Sequence, residues 1–178
     1  IPPLFVVKCS ASLTKPLTTL YTRSVKEGIV PKIWKSAFIS PIHKNGNKND
    51  VKNYRPISKL CIFAKILERI VFTQVNDCLS SSLIPEQHGF IKNRSTTTNL
   101  LSFIEYTTSS MDYGGQVDCI FTDYSKCFDR IDHIILLRKI LYAGIHGNLY
   151  RWFKSYIEKR SQAVVVKGFK SSWTTVFS

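Results

Sequence analysis

The chain has 178 residues, 44% of them hydrophobic, with a mean hydropathy of −0.04 and a formal net charge of +13. This is about one domain's length with apolar side chains enough for a core, so a disordered tail is excluded. No apolar run approaches the ~18 residues of a membrane span, and Ile1-Pro2-Pro3-Leu4-Phe5 lacks the layout of a signal peptide, so the sequence reads as a piece of something longer.

The positive charge is uneven. Residues 1–70 carry 13 Lys/Arg against 3 Asp/Glu, residues 71–113 carry 2 against 4, and residues 114–178 carry 10 against 5. A basic first third suits a partner with a phosphate backbone, bound through counterion release. A merely soluble basic surface has the same composition, so charge alone does not decide the matter. The five cysteines (Cys9, Cys61, Cys78, Cys119, Cys127) are odd in number and form no C-x-x-C pair. They are expected to be reduced thiols of an intracellular protein, without a zinc site.

In chain order, Leu13 to Gly28 reads as a helix with Pro16 in its opening turn, an apolar stripe of Leu17, Leu20, Tyr21 and Val25, and a stop at Gly28 and Pro31. Ser36 to Lys44 alternates like a strand, and Pro41 argues for an edge position. Asn45 to Asp50 is a polar turn, and Val51 to Ser58 returns as the paired strand. The result is a basic hairpin carrying Lys44, Lys48, Lys52, Arg55 and Lys59. Cys61 to Ser80 has its apolar residues at helical spacing. Ser95 or Thr96 caps a further helix through Leu100, Leu101, Ile104 and Met111, ended by Gly114-Gly115. Val117 to Thr122 then reads as a buried strand ending on Asp123. Asp132 is the expected N-cap of a helix from Ile134 to Ala143 that stops at Gly144. An amphipathic segment, Leu149 to Ile157, follows. Ser161 to Lys167, with Gly168 as turn and Trp173 to Phe177 as return, makes a last hairpin. Alternating strand and helix signals give an α/β (α+β) class.

A carboxylate held at a strand end, with backbone oxygen beside it, suits the hard oxygen coordination of Mg²⁺. Turn or capping carboxylates have the same spacing, so spacing alone leaves Asp123 and Asp129 open. The literal string decides. Phe121-Thr122-Asp123-Tyr124-Ser125-Lys126-Cys127-Phe128-Asp129 resembles the first catalytic motif of reverse transcriptases in its non-LTR (LINE-type, jockey-like) form, with Cys127 where that family usually has Ala. Lys52-Asn53-Tyr54-Arg55-Pro56-Ile57-Ser58 followed by Lys65-Ile66-Leu67-Glu68-Arg69 resembles the family's fingers signature. Gln87-His88-Gly89-Phe90 through Arg94-Ser95-Thr96 resembles its Q-x-G-F-x-x-x-R-S-T segment. Arg160-Ser161-Gln162-Ala163-Val164-Val165-Val166-Lys167-Gly168 resembles the stretch before its next catalytic motif. Four motifs in family order make the resemblance specific.

The resemblance implies the fingers and partial palm of a right-hand polymerase, with about 1–112 as fingers and fingers–palm helices and about 113–178 as the front part of the palm. It implies an RNA-directed DNA polymerase that uses an RNA template, a DNA primer and dNTPs, with Mg²⁺ (or Mn²⁺), and neither a membrane nor a small-molecule cofactor. Asp123 and the backbone carbonyl of Tyr124 would ligand the metals. Arg55, assisted by Lys44, would hold the triphosphate, as a planar fork suited to bidentate phosphate contact. Phe128 would lie under the incoming sugar and exclude a 2′-hydroxyl by bulk. Gln87, Gly89, Arg94 and Lys65 would lie along template and primer, and Asp129 would bond backbone at its turn. A LINE-type lifestyle implies action in the nucleus, although no localisation signal stands in the sequence.

The family's Gly-x-Pro-Gln-Gly-Ser and Ala-Asp-Asp motifs occur nowhere in these residues, and two metal ions need several carboxylates. The alternative is therefore a catalytically inactive nucleic-acid-binding remnant. An unrelated hydrolase built on Asp123, Asp129, Asp132 and His133 explains none of the other motifs.

Overall fold

Ser24 and Gly28 show how the sequence builds its principal helix pair in this computed structural model, which describes residues 1–79 and 82–176. A short helix α1 (Pro3–Lys8) leads into α2 (Ser10–Glu27). The helix starts earlier than the apolar stripe predicts, so Pro16 sits inside it rather than in its first turn. It is tolerated because Ser12, whose carbonyl loses the Pro16 N–H, is exposed and can bond water. The stop is as expected: Gly28 adopts φ +68°, and Ile29 N–H donates to Ser24 O at 3.0 Å. The Ser24 hydroxyl donates to Ile29 O at 2.6 Å and accepts Trp152 Nε1–H at 3.1 Å, which satisfies a buried polar group from both sides.

Trp152 belongs to α6 (Gly147–Ile157) and lies over α2 and α3 (Ile62–Leu79). Together these helices bury Tyr21, Val30, Trp34, Ala64, Leu67, Val71 and Trp152 as one core. Helix α5 (His133–Tyr142) precedes α6 and begins where the sequence places it, because the Asp132 carboxylate accepts from Ile134 N at 2.7 Å and Ile135 N at 3.0 Å.

The sheet consists of β1 (Ser36–His43), β2 (Tyr54–Lys59), β3 (Ser161–Val166), β4 (Phe169–Lys170) and β5 (Thr174–Thr175). Its order is β2-β1-β3-β4, with β5 also on β3. β1 pairs parallel with β3 over Ser36–Ile39 and antiparallel with β2 over Phe38–His43, so the strand is interior near Phe38 but has a neighbour on one side only at Pro41, the edge position that the proline suggested. The register accommodates it there. Pro41 faces Pro56, and the neighbouring bonded position is fixed by Lys44 N–H to Asn53 O at 2.8 Å, so the two prolines meet at a position that needs neither N–H. The pairing to β3 stops at Ile39, before Pro41. The last hairpin turns at Gly168, φ +86°, as expected, but its return pairs first at Phe169–Lys170 and again at Thr174–Thr175 rather than starting at Trp173.

The chain divides into two units, Ile1–Val75 with Phe128–Ser178, and Asn76–Cys127. The second contains α4 (Thr96–Asp112), capped by Ser95, which accepts from Thr98 N at 3.1 Å. Here the structure corrects one expectation. Residues 117–122 form no strand, and Ile120 and Phe121 are exposed at 90% and 85%. An extended apolar segment becomes a strand only when a neighbour completes its ladder, and none does among the described residues. The expected ends at Ser80, Phe177 and Ser178 lie outside the described residues. All five cysteines are free, and Cys61, Cys78, Cys119 and Cys127 are exposed. Among the described residues no helix is long and apolar enough to cross a membrane.

Candidate functional site

The hairpin sorts its side chains by register. β1 pairs Ile42 with Arg55 and Phe38 with Lys59, so these four share one face. Lys44, two residues past Ile42 and still bonded to β2 through Asn53, falls on the same face beside Arg55. The opposite face carries Ala37 and Ile39, which are buried at 6% and 5%. The core therefore takes one face of the hairpin and leaves Lys44, Arg55 and Lys59 in solvent. Among the described residues the ion pairs are Arg23–Glu27 and Lys154–Glu158, and neither neutralises this face. Uncompensated cations on a rigid hairpin are suited to a polyanionic ligand. The sequence revealed the hairpin's charge, and period-two alternation from Arg55 would have picked out Lys59 as its face partner. Lys65 is exposed in the first turn of α3.

Downstream, Phe128 and Asp129 lie in a short 3₁₀ turn, Cys127–Arg130. Phe128 is 69% exposed. The Asp129 carboxylate, expected to bond backbone, is exposed and accepts no hydrogen bond among the described residues; the Asp132 carboxylate does bond backbone, because it stands at a helix start where backbone N–H groups are free.

In the Asn76–Cys127 unit, the loop before α4 is held by its own polar side chains. Arg94 Nη1 donates to Gln87 O at 2.8 Å and to Pro85 O, and Gln87 Nε2 donates to Gly89 O at 3.0 Å. His88 Nδ1 meets Thr98 Oγ1 at 3.0 Å. Arg94 thus positions the loop, a role that its motif did not disclose. Phe90 and Asn93, both at φ +64°, take the left-handed backbone, whereas a Cβ on Gly89 would meet nothing nearer than Gln87 Nε2 at 3.4 Å. The loop's left-handed backbone thus falls at Phe90 and Asn93 and not at Gly89.

Asp123 and Tyr124 stand in the exposed irregular segment that follows Phe121. The Phe121 ring lies 6.1 Å from that of Phe103 on α4, which ties the segment to the helix. Among the described residues no group of three or more His, Cys, Asp or Glu side chains is gathered to hold a metal ion. One carboxylate and one carbonyl are too few oxygens for octahedral Mg²⁺. The donor set of these residues alone does not fit the metal pair.

A family model described as reverse transcriptase (RNA-dependent DNA polymerase) matches residues 42–176, and the chain belongs to this family. The mixed helices and sheet described above are therefore part of a reverse-transcriptase polymerase architecture. More particularly, it is a portion of the non-LTR retrotransposon type. It is 34% identical over 159 residues to the RNA-directed DNA polymerase from mobile element jockey of Drosophila melanogaster, a match covering 88% of this chain and 17% of that protein. It is 31% identical over 157 residues to the probable RNA-directed DNA polymerase from transposon BS of the same fly, covering 85% and 17%. For the probable RNA-directed DNA polymerase from transposon X-element, also of that fly, the identity is 30% over 151 residues, covering 83% and 16%. The chain thus spans 16–17% of the length of these relatives. The family generally works with divalent metal ions.

Proposed function

We infer that this chain is the front part of a retrotransposon reverse transcriptase, and that the complete protein copies an RNA template into DNA from a DNA primer and dNTPs. Residues of about 1–112 serve as fingers and fingers–palm helices, and about 113–178 as the front of the palm. The observation that carries this reading is the hairpin face: Lys44 and Arg55 stand side by side, exposed, with no carboxylate among the described residues to neutralise them, as a triphosphate requires. On this reading Arg55 and Lys44 bind the incoming nucleotide's phosphates, and Phe128 lies beneath its sugar. Gln87, Gly89, Arg94 and Lys65 follow template and primer, Arg94 chiefly by fixing the loop. Asp123 and the Tyr124 carbonyl contribute oxygens toward Mg²⁺ or Mn²⁺, and the remaining carboxylates come from outside residues 1–178. The site of action is the nucleus.

By itself, then, the 178-residue chain binds primer–template without extending it. In the complete polymerase, Asp123→Asn keeps the side chain's shape and removes its charge. Incorporation of dNTPs should vanish while primer–template binding stays within about twofold, because binding rests on the basic residues. Full incorporation by the variant, or extension by the isolated chain, would overturn the reading.

A further inference from the structure

The outer face of the sheet continues past Arg55 and Lys59 into a cluster that no catalytic role uses. Phe38, opposite Lys59 on β1, has its ring centroid 5.3 Å from that of Trp173, with the planes inclined at 37°. Lys170 Nζ stands over both rings, 4.9 Å from the Phe38 centroid and 4.4 Å from that of Trp173. Register puts Lys170 there: it pairs with Val165, two residues beyond the Ala163 that faces Phe38. Ala163 is 1% exposed, so the small residue forms the floor on which the rings rest. Yet Phe38 and Trp173 remain 40% and 44% exposed.

Core packing does not account for this cluster, because the core lies on the other face of β1 with Ala37 and Ile39. What distinguishes it from a scattered surface aromatic is the combination. Two rings and a lysine fixed against them share one face with Lys59 and Arg55, without a carboxylate in ion-pair reach among the described residues. A base offers a π-face to a ring and its phosphate offers a charge to a lysine, and grooves that hold unpaired strands combine these two contacts. A duplex hides its base faces in the stack, so it can use the lysines but not the rings.

We propose that Phe38, Trp173 and Lys170 form a platform for single-stranded nucleic acid, with an unpaired base stacked against the rings and its phosphate on Lys170. The site reads no sequence, since every base has a π-face. The proposal rests on the reading that the chain handles nucleic acid, but not on its polymerase chemistry.

Trp173 supplies its own reporter. Trp34 and Trp152 are buried at 7% and 2% exposure, so base stacking should quench Trp173 and leave the other two emitting. The experiment titrates the 178-residue chain with oligo(U), oligo(dT) and a blunt duplex of equal length, following both fluorescence and affinity. Circular dichroism confirms that each variant is folded. Expected are quenching by both single strands but not by the duplex, loss of that quenching in Trp173→Phe with affinity nearly kept, and a single-strand affinity about tenfold weaker in Trp173→Ala. Lys170→Gln should make the single-strand salt slope shallower by about 0.7, the share of one phosphate contact.

Quenching by oligo(U) alone would assign the platform to RNA, and by oligo(dT) alone to DNA; either supports it. Single strands that bind as tightly to Trp173→Ala as to wild type, or without quenching Trp173, overturn the platform and leave the polymerase reading intact. Should Trp173→Ala instead abolish self-association with single-strand affinity unchanged, the face belongs to a second copy. If neither single strands nor duplex bind at all, the proposal and the nucleic-acid reading fall together.

Discussion

Tyr156 donates its hydroxyl hydrogen to Glu68 Oε1 at 2.9 Å, joining α6 to α3 beside the core. Burial, and then the Glu68 carboxylate as charge and as hydrogen-bond acceptor, push the phenol up to about 12, while nearby Arg160 acts the other way. A raised pKa means that the folded state keeps a proton which the unfolded state releases near its ordinary value of about 10. The pair's stabilisation is therefore complete below about pH 10 and is lost as pH rises from there toward about 12. Melting temperature measured from about pH 8 to 11.5 should fall more steeply for wild type than for Tyr156→Phe. Parallel curves would remove the prediction. At neutral pH the variant should lose about 1–2 kcal/mol, since it leaves a carboxylate without its donor.

Gly28 is needed for two independent reasons. Its φ of +68° disfavours any Cβ, and a Cβ there would lie 2.7 Å from Arg151 Cβ and 2.9 Å from Asn148 O. Both obstacles come from α6, and the backbone oxygen cannot rotate away. Gly28→Ala should cost about 2 kcal/mol or more, read as a lowered denaturation midpoint with an unchanged slope. An unaltered midpoint would mean that α2 and α6 can separate without penalty.

Two nearby aspartates should part company. Asp132 accepts two backbone N–H groups at the start of α5, and Asp129 accepts none. Asp132→Ala should destabilise by about 1 kcal/mol. Asp129→Ala should stay within about 0.5 kcal/mol. Urea titration of both variants is the check, and the reverse ranking would contradict the capping assignment.

If Arg55 holds the triphosphate as proposed, Arg55→Ala in the complete polymerase should raise KM for dNTP by about tenfold or more, through loss of a charge-assisted phosphate contact. Folding should be unaffected, since Arg55 is exposed. An equal loss of kcat and stability with KM unchanged would make Arg55 a structural residue of the hairpin.

Phe128 tests sugar selection. If Phe128 lies beneath the sugar as proposed, Phe128→Val in the complete polymerase should raise the kcat/KM for rNTP relative to dNTP, because the ring that would clash with a 2′-hydroxyl is gone. If both rates fall together with their ratio unchanged, the ring has no part in choosing the sugar.

The sequence by itself determined where most of the longer helices lie and several of their caps, though not α1 or the early start of α2, because caps, glycines and helical apolar spacing act within a few residues. Gly28, Ser95, Asp132 and Gly168 each did what their local chemistry dictates. It also determined the family, through motifs that are literal strings. Tertiary structure decided what depends on distant partners. Pro41 argued for an edge position, but only the pairing showed that β3 stops at Ile39 and that Pro41 meets Pro56, where no N–H is needed. Arg94 had a motif position along template and primer, and only folding brought the carbonyls of Pro85 and Gln87 to its guanidinium. Residues 117–122 have a strand's composition without a strand's neighbours, and remain irregular. Likewise the joint placement of Lys44, Arg55, Phe38 and Lys170 on one sheet face was hidden until β1 paired with β2 and β3. A strand's pattern states which residues alternate; only its partners fix which of the two faces is left to solvent.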